Sequence, residues 1–109
     1  MPARPLTVLQ LLPALHGGGV ERGTLEVAAE LVRRGHRALV VSAGGRLVEA
    51  LAAAGAEHYE WPIGVKSPWT LRWVPRLRRI LRRERVDILH ARSRLPAWIG
   101  WLAWRGMDP

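Results

Sequence analysis

Residues 6–22 read LTVLQLLPALHGGGVER, and the segment Leu6–Leu12 within them decides the fold. A short, nearly continuous apolar run of this kind marks a strand buried on both faces, as in a parallel sheet, and lacks the alternation of a strand with one wet face. Pro13 to Gly19 then forms a turn with three consecutive glycines. From Val20 to Arg34, the apolar residues Leu25, Ala28, Ala29 and Val32 recur at the i, i+3, i+4, i+7 spacing of a helix, which Gly35 stops.

The same succession of strand, helix and glycine stop recurs downstream. Ala38–Ser42 (ALVVS) reads as a second buried strand, and the alanine-rich stretch Arg46–Ala54 as a helix closed by Gly55. Glu57–Trp61 is a weaker third strand. Ser67-Pro68 fits an N-cap and first helical position for a basic helix running to about Arg83. Pro75 lies inside that helix, where its ring clashes with the preceding turn, so either a kink or a later start is expected. Val86–His90 (VDILH) is the fourth strand, and Pro96–Arg105 a last helix stopped by Gly106.

Strands alternating with helices over short loops predict an α/β fold: a Rossmann-like parallel sheet with helices on both faces and right-handed crossovers, in strand order 3-2-1-4. In that order strands 1 and 4 are neighbours, and the chain leaves them in opposite directions. A crevice opens beyond their C-terminal ends, which is where open α/β sheets bind ligands. The stretches LHGGGVER (15–22) and HARSRLPAW (90–98) fall at those two ends.

With 109 residues, the chain holds one domain or half of a larger fold. Hydrophobic residues make up 49% and charged residues 24%, which excludes disorder and low-complexity tails. Cysteine is absent, so disulfides, thiolate metal sites and a cysteine nucleophile are excluded together. The net charge is +8, and every basic residue except Lys66 is arginine. Such a balance points to an anionic partner or surface, although GC-rich coding produces the same arginine bias. No run reaches the roughly 18 consecutive apolar residues of a membrane span, and the opening Met1-Pro2-Ala3-Arg4-Pro5 has no signal-peptide core. A cytoplasmic location is expected, with peripheral contact at the inner membrane face as its variant.

Gly17, Gly18 and Gly19 let the backbone turn sharply and approach a ligand closely, with free N–H groups suited to a phosphate. The same glycines also serve close packing, and both readings stand. The loop is not a P-loop, because no Gly-Lys-Ser/Thr follows. Nor is it a dinucleotide fingerprint: Arg22 holds the third glycine position, and Ser42, Ala43 and Gly44 stand where a ribose-binding acid belongs. HGGG also resembles an esterase oxyanion loop, but the chain has no G-x-S-x-G nucleophile elbow.

At the other strand end, His90, Arg92, Ser93 and Arg94 bring an imidazole, two guanidiniums and a hydroxyl to the crevice mouth. Arginine is a fork-shaped donor suited to phosphate and sugar hydroxyls. The alternative is a strand-capping histidine beside solvated arginines. On the basic helix, Arg72, Arg76, Arg79 and Arg83 share one stripe, with Arg78, Arg82 and Arg85 beside it. Trp73, Val74, Leu77, Ile80 and Leu81 take the opposite arc. That helix is either an ordinary amphipathic face or a contact for anionic lipid or an anionic acceptor. Nucleic acid is disfavoured, since no recognised binding motif is present. The last helix carries Trp98, Ile99, Trp101, Leu102 and Trp104 around most of its circumference, which predicts a domain lacking some of its cover.

Together, LHGGGVER after the first strand, a helix ending LVRRGH, the strand end VVSAGG and the string RRERVDILHARSRLPAW resemble the N-terminal region of family 4 glycosyltransferases of the GT-B architecture. The resemblance spans essentially the whole chain. It implies an enzyme of two Rossmann-like domains that transfers a sugar from a nucleotide-sugar donor to an acceptor, usually with retention, without a metal or other cofactor. It places Gly17, Gly18 and Gly19 near the donor diphosphate, Glu21 at the start of the next helix, and Arg92 and Ser93, with His90, on the acceptor side. Some members act on lipid-linked or cell-envelope acceptors, which agrees with the arginine stripe. The family's donor-binding domain, with its basic residue and glutamate pair, has no counterpart here. The chain is therefore expected to be inactive alone and to need a C-terminal donor domain in cis or in trans. The competing expectation is a non-catalytic Rossmann-like module that docks on an anionic surface.

Overall fold

Two buried apolar runs lie at the centre of the sheet and two mixed ones at its edges, and this ranking by hydrophobicity is the ranking by burial. The computed structural model describes residues 4–13, 19–61, 71–92 and 94–105. Its element order is β1 (Thr7–Leu11), α1 (Gly19–Arg33), β2 (Arg37–Ser42), α2 (Val48–Ala53), β3 (Glu57–Glu60), α3 (Trp73–Arg83), β4 (Ile88–Ala91) and α4 (Arg94–Arg105). All strand pairs are parallel, in the order β3-β2-β1-β4. The Rossmann-like α/β topology expected from the sequence is the one formed.

Each strand of the central pair sends alternate side chains to opposite faces, as the pleat requires. Leu9 and Leu11 of β1 with Leu39 and Val41 of β2 meet Trp73, Leu77, Ile80 and Leu81 of α3 and Ile99 and Ala103 of α4. On the other face, Ala38 and Val40 of β2, with Leu12, meet Ala28 of α1 and Leu51 of α2. Helices α3 and α4 therefore share one face, and α1 and α2 the other.

Helices α1, α2 and α3 end in the same way. In each, the N–H two residues past the last turn reaches back five residues: His36 to Leu31 O (2.8 Å), Ala56 to Leu51 O (3.0 Å) and Val86 to Leu81 O (3.0 Å). The intervening residue takes a positive φ, as this left-handed cap requires. It is Gly35 (86°) in α1, Gly55 (91°) in α2 and, unusually, Arg85 (51°) in α3.

Helix α3 departs from the expected start at Ser67-Pro68, residues that lie outside those described. It begins at Trp73 after a short 3₁₀ turn at Leu71 and Arg72, the later of the two alternatives. Pro75 is then the third helical residue. There its missing N–H has no intrahelical acceptor to lose, so no kink follows.

The last helix is covered on one side only. Ile99 and Ala103 are buried, and a Cβ on Gly100 would lie 3.1 Å from Leu89 and 3.2 Å from Leu11, so this side of the helix packs close to the sheet. The other side leaves Trp98, Trp101 and Trp104 exposed at 58%, 52% and 41%. Among the described residues no helix is long and apolar enough to cross a membrane.

Candidate functional site at the ends of strands β1 and β4

Strand β1 pairs with β4 in the register Gln10↔His90 and Leu11↔Ala91, and the Arg92 N–H continues the ladder to Leu11 O at 2.9 Å. The C-terminal ends of these strands therefore stand level, with α1 starting beside them. Arg92 is delivered to this point by the strand itself.

Its side chain is held there. Gln10 is a fully buried polar residue within an otherwise apolar strand. The Arg92 Nε–H donates to Gln10 Oε1 at 2.9 Å, and Gln10 Nε2 donates to the carbonyl of Thr24 in α1 at 3.1 Å. The amide orientation is fixed by these neighbours, because turning it over would set an NH₂ against the guanidinium and an oxygen against a carbonyl. Arg92 in turn lies against the second turn of α1, where a Cβ on Gly23 would stand 3.8 Å from Nη1. Three elements, β1, β4 and α1, are thus joined through one amide.

Of the other expected site residues, Gly19 opens α1, while Gly17, Gly18 and Ser93 lie outside the described residues. Glu21 sits half-buried in the first turn of α1, and no described ion pair joins it to Arg92. His90 is exposed on β4, on the face of the sheet that α1 only partly covers. The structure brings Arg92 together with α1 through Gln10, Gly23 and Thr24, which the sequence reading passed over. A single amide in the run LTVLQLL was the available signal.

A second polar cluster ends β2 and β3. Buried Ser42 Oγ lies 2.7 Å from His58 Nε2 and accepts the Gly44 N–H at 3.0 Å. Burial pushes the His58 imidazole below its usual pKa, against the opposing pull of Glu60. With Ser42 closed to solvent, this cluster shapes the turn at Gly44, whose positive φ of 94° disfavours any side chain.

Arg72, just ahead of α3, and Arg76, Arg79 and Arg83 on it are all exposed, but they are not equivalent. Arg72 and Arg76 lie over the Trp73 ring at 5.1 and 5.0 Å. Arg83 bonds to Glu84 at 2.9 Å, and Glu84 also pairs with Arg37. Arg78 turns away from the stripe altogether: its Nε and Nη2 donate to Ala103 O (3.1 Å) and Leu102 O (3.0 Å), capping the last turn of α4. A shallow groove of about 630 Å³ runs along this helix, lined by Pro75, Arg78, Arg79, Arg82 and Arg83. Among the described residues no cluster of three or more His, Asp or Glu side chains is placed to hold a metal.

The family model described as Glycosyltransferase Family 4 matches residues 17–109. The crystal structure of a glycosyltransferase from Rickettsia africae ESF-5 is 40% identical in sequence and superposes with a TM-score of 0.85 over 96% of this chain. The chain spans 28% of the length of that protein. No curated protein matches it.

Proposed function

This chain belongs to glycosyltransferase family 4, and on that premise we propose that it forms the acceptor-side wall of a GT-B sugar-transfer site. The observation that supports this reading is Arg92, held at the switch point between β1 and β4 beside the start of α1. A guanidinium there suits a phosphate or the hydroxyls of a sugar, and open α/β sheets place ligands at this point. In this reading Gly17, Gly18 and Gly19 approach the diphosphate of a nucleotide-sugar donor, and Glu21, His90, Arg92 and Ser93 face the acceptor. The donor-binding domain comes from a further part of the protein or from a partner, and no metal takes part. The acceptor is a glycan or a lipid-linked, cell-envelope sugar.

Titration of the ¹⁵N-labelled chain with UDP and GDP tests the reading. Weak, saturable shifts are expected at Gly19–Thr24 and at Ala91 and Arg92, because one wall of the cleft binds without the other. Shifts confined to other parts of the sheet, or none at all, refute it.

A second reading concerns α3, whose arginines line an open cationic groove. In this reading Arg79 and Arg83 at the groove, with Arg72 and Arg76 beside it, form a peripheral contact for the anionic inner face of the cytoplasmic membrane. Sedimentation with phosphatidylglycerol vesicles should fall with added salt and on R79E, while neutral phosphatidylcholine vesicles should leave the chain in solution. If binding survives with neutral vesicles, the charge-based contact is wrong.

A further inference from the structure

A parallel strand at the centre of a sheet gains nothing from an amide in its interior, because burial of an amide is unfavourable unless both of its polar atoms find partners. Gln10 is such an amide, wholly enclosed, and both of its atoms are satisfied by groups outside its own strand. One partner is the Thr24 carbonyl on the helix behind the crevice, and the other is the Nε–H of Arg92 on the neighbouring strand. Between a fixed helix and a long, flexible side chain, the amide transmits position from the first to the second.

The side chain that receives it has the most to lose from freedom. An arginine side chain has large rotamer entropy, which a ligand must overcome on binding unless the guanidinium is already oriented. Committing Nε–H to Gln10 fixes the plane of the fork and leaves the Nη hydrogens as donors toward a ligand. The second turn of α1 bounds the other side of the fork at Gly23.

We propose that Gln10 is a positioning residue: it orients the Arg92 guanidinium in the crevice for an anionic group of the substrate, and does not touch substrate itself. The proposal rests on the reading of Arg92 as a ligand-binding group given above, and it adds the buried residue through which that group is set.

The test follows the arginine side-chain ¹⁵Nε–Hε resonances of the whole chain, with R92K identifying the Arg92 signal by its loss. In the wild-type chain that signal should be sharp and protected from solvent exchange. Q10L should merge it with the exchanging arginines. The backbone amide signals of Leu9 and Leu11 should persist in Q10L and report that the sheet is intact. Inorganic pyrophosphate, titrated as the anion probe, should bind about tenfold more weakly to Q10L, the loss expected when one charge-assisted orienting bond is removed.

An unchanged Arg92 Nε–H signal in Q10L overturns the proposal. So does a lost signal with unchanged pyrophosphate affinity, since orientation would then be irrelevant to binding. If the wild-type Arg92 signal ignores pyrophosphate while Q10L still releases it, Gln10 holds Arg92 but the ligand-binding reading of Arg92 is refuted. The two claims therefore fail separately.

Discussion

Replacing Arg78 with methionine should destabilise the chain far more than the same change at Arg79, one residue along the same helix. In the sequence these two arginines differ only in their angle around α3. In the structure Arg78 Nε and Nη2 donate to Ala103 O and Leu102 O, while Arg79 faces the open groove. Methionine keeps the apolar stem of the side chain and removes the donors. A hydrogen bond from a charged donor contributes about 1.5–3 kcal/mol when buried, and half-burial of Arg78 brings each of the two toward the lower end or below. A cation at a helix C-terminus adds about 0.3–1 kcal/mol more. The expected loss for R78M is therefore about 3 kcal/mol, which in a domain of this size lowers Tm by roughly 15 °C. R79M should stay within about 0.5 kcal/mol of the parent, as surface substitutions do. Urea titration followed by circular dichroism gives both values. Amide exchange adds a local reading, because loosening should concentrate in α4 and spare β1 and β2. Equal effects of R78M and R79M, or exchange that rises uniformly, would refute the capping role.

The two glycine stops should respond differently to alanine. At Gly35 a Cβ meets nothing, so G35A should cost about 1 kcal/mol of left-handed strain, whereas at Gly55 a Cβ would stand 2.9 Å from Val32 Cγ1 and should cost more than G35A in the same denaturation assay. His58, held below its usual pKa by burial, binds a proton more readily in the unfolded chain, so its contribution to stability is complete above the ordinary histidine pKa and declines as pH falls through the folded one. H58Q should flatten the pH dependence of stability in that window, and an unchanged profile would show that histidine not to be its source. Asp87 runs the same way at lower pH: its carboxyl is held down by Arg4 and by the Thr7 N–H, so D87N should remove stability at neutral pH and little in strong acid.

What the sequence made legible was whatever depends on burial pattern. LTVLQLL and ALVVS read as buried strands, and an order that puts them at the centre follows from the right-handed crossover. The arc Trp73, Leu77, Ile80 and Leu81 likewise read as the buried face of α3, because a helix fixes which residues share a side. The start of α3 was less legible, since Ser67-Pro68 offers a sound local signal and a helix tolerates Pro75 only near its first turn. Arg78 could not be told from its neighbours before α4 was in place, because the carbonyls it meets are more than twenty residues away. Gln10 was hidden differently. Counted by hydropathy it is one exception in an apolar run, and only the pairing of β1 with β4 shows that the exception faces Arg92.

The two borders of the sheet are unlike. Strand β3 presents Glu57, His58 and Glu60, with Arg37 of β2 paired to Glu57. Strand β4 presents Ile88, Leu89, His90 and Ala91, with Ile88 and the tryptophans of α4 open beside it. Carboxylates along an edge repel an incoming strand, whereas an edge without them offers it backbone hydrogen bonds and apolar contact. An incoming strand would therefore meet carboxylates at β3 and largely apolar side chains at β4.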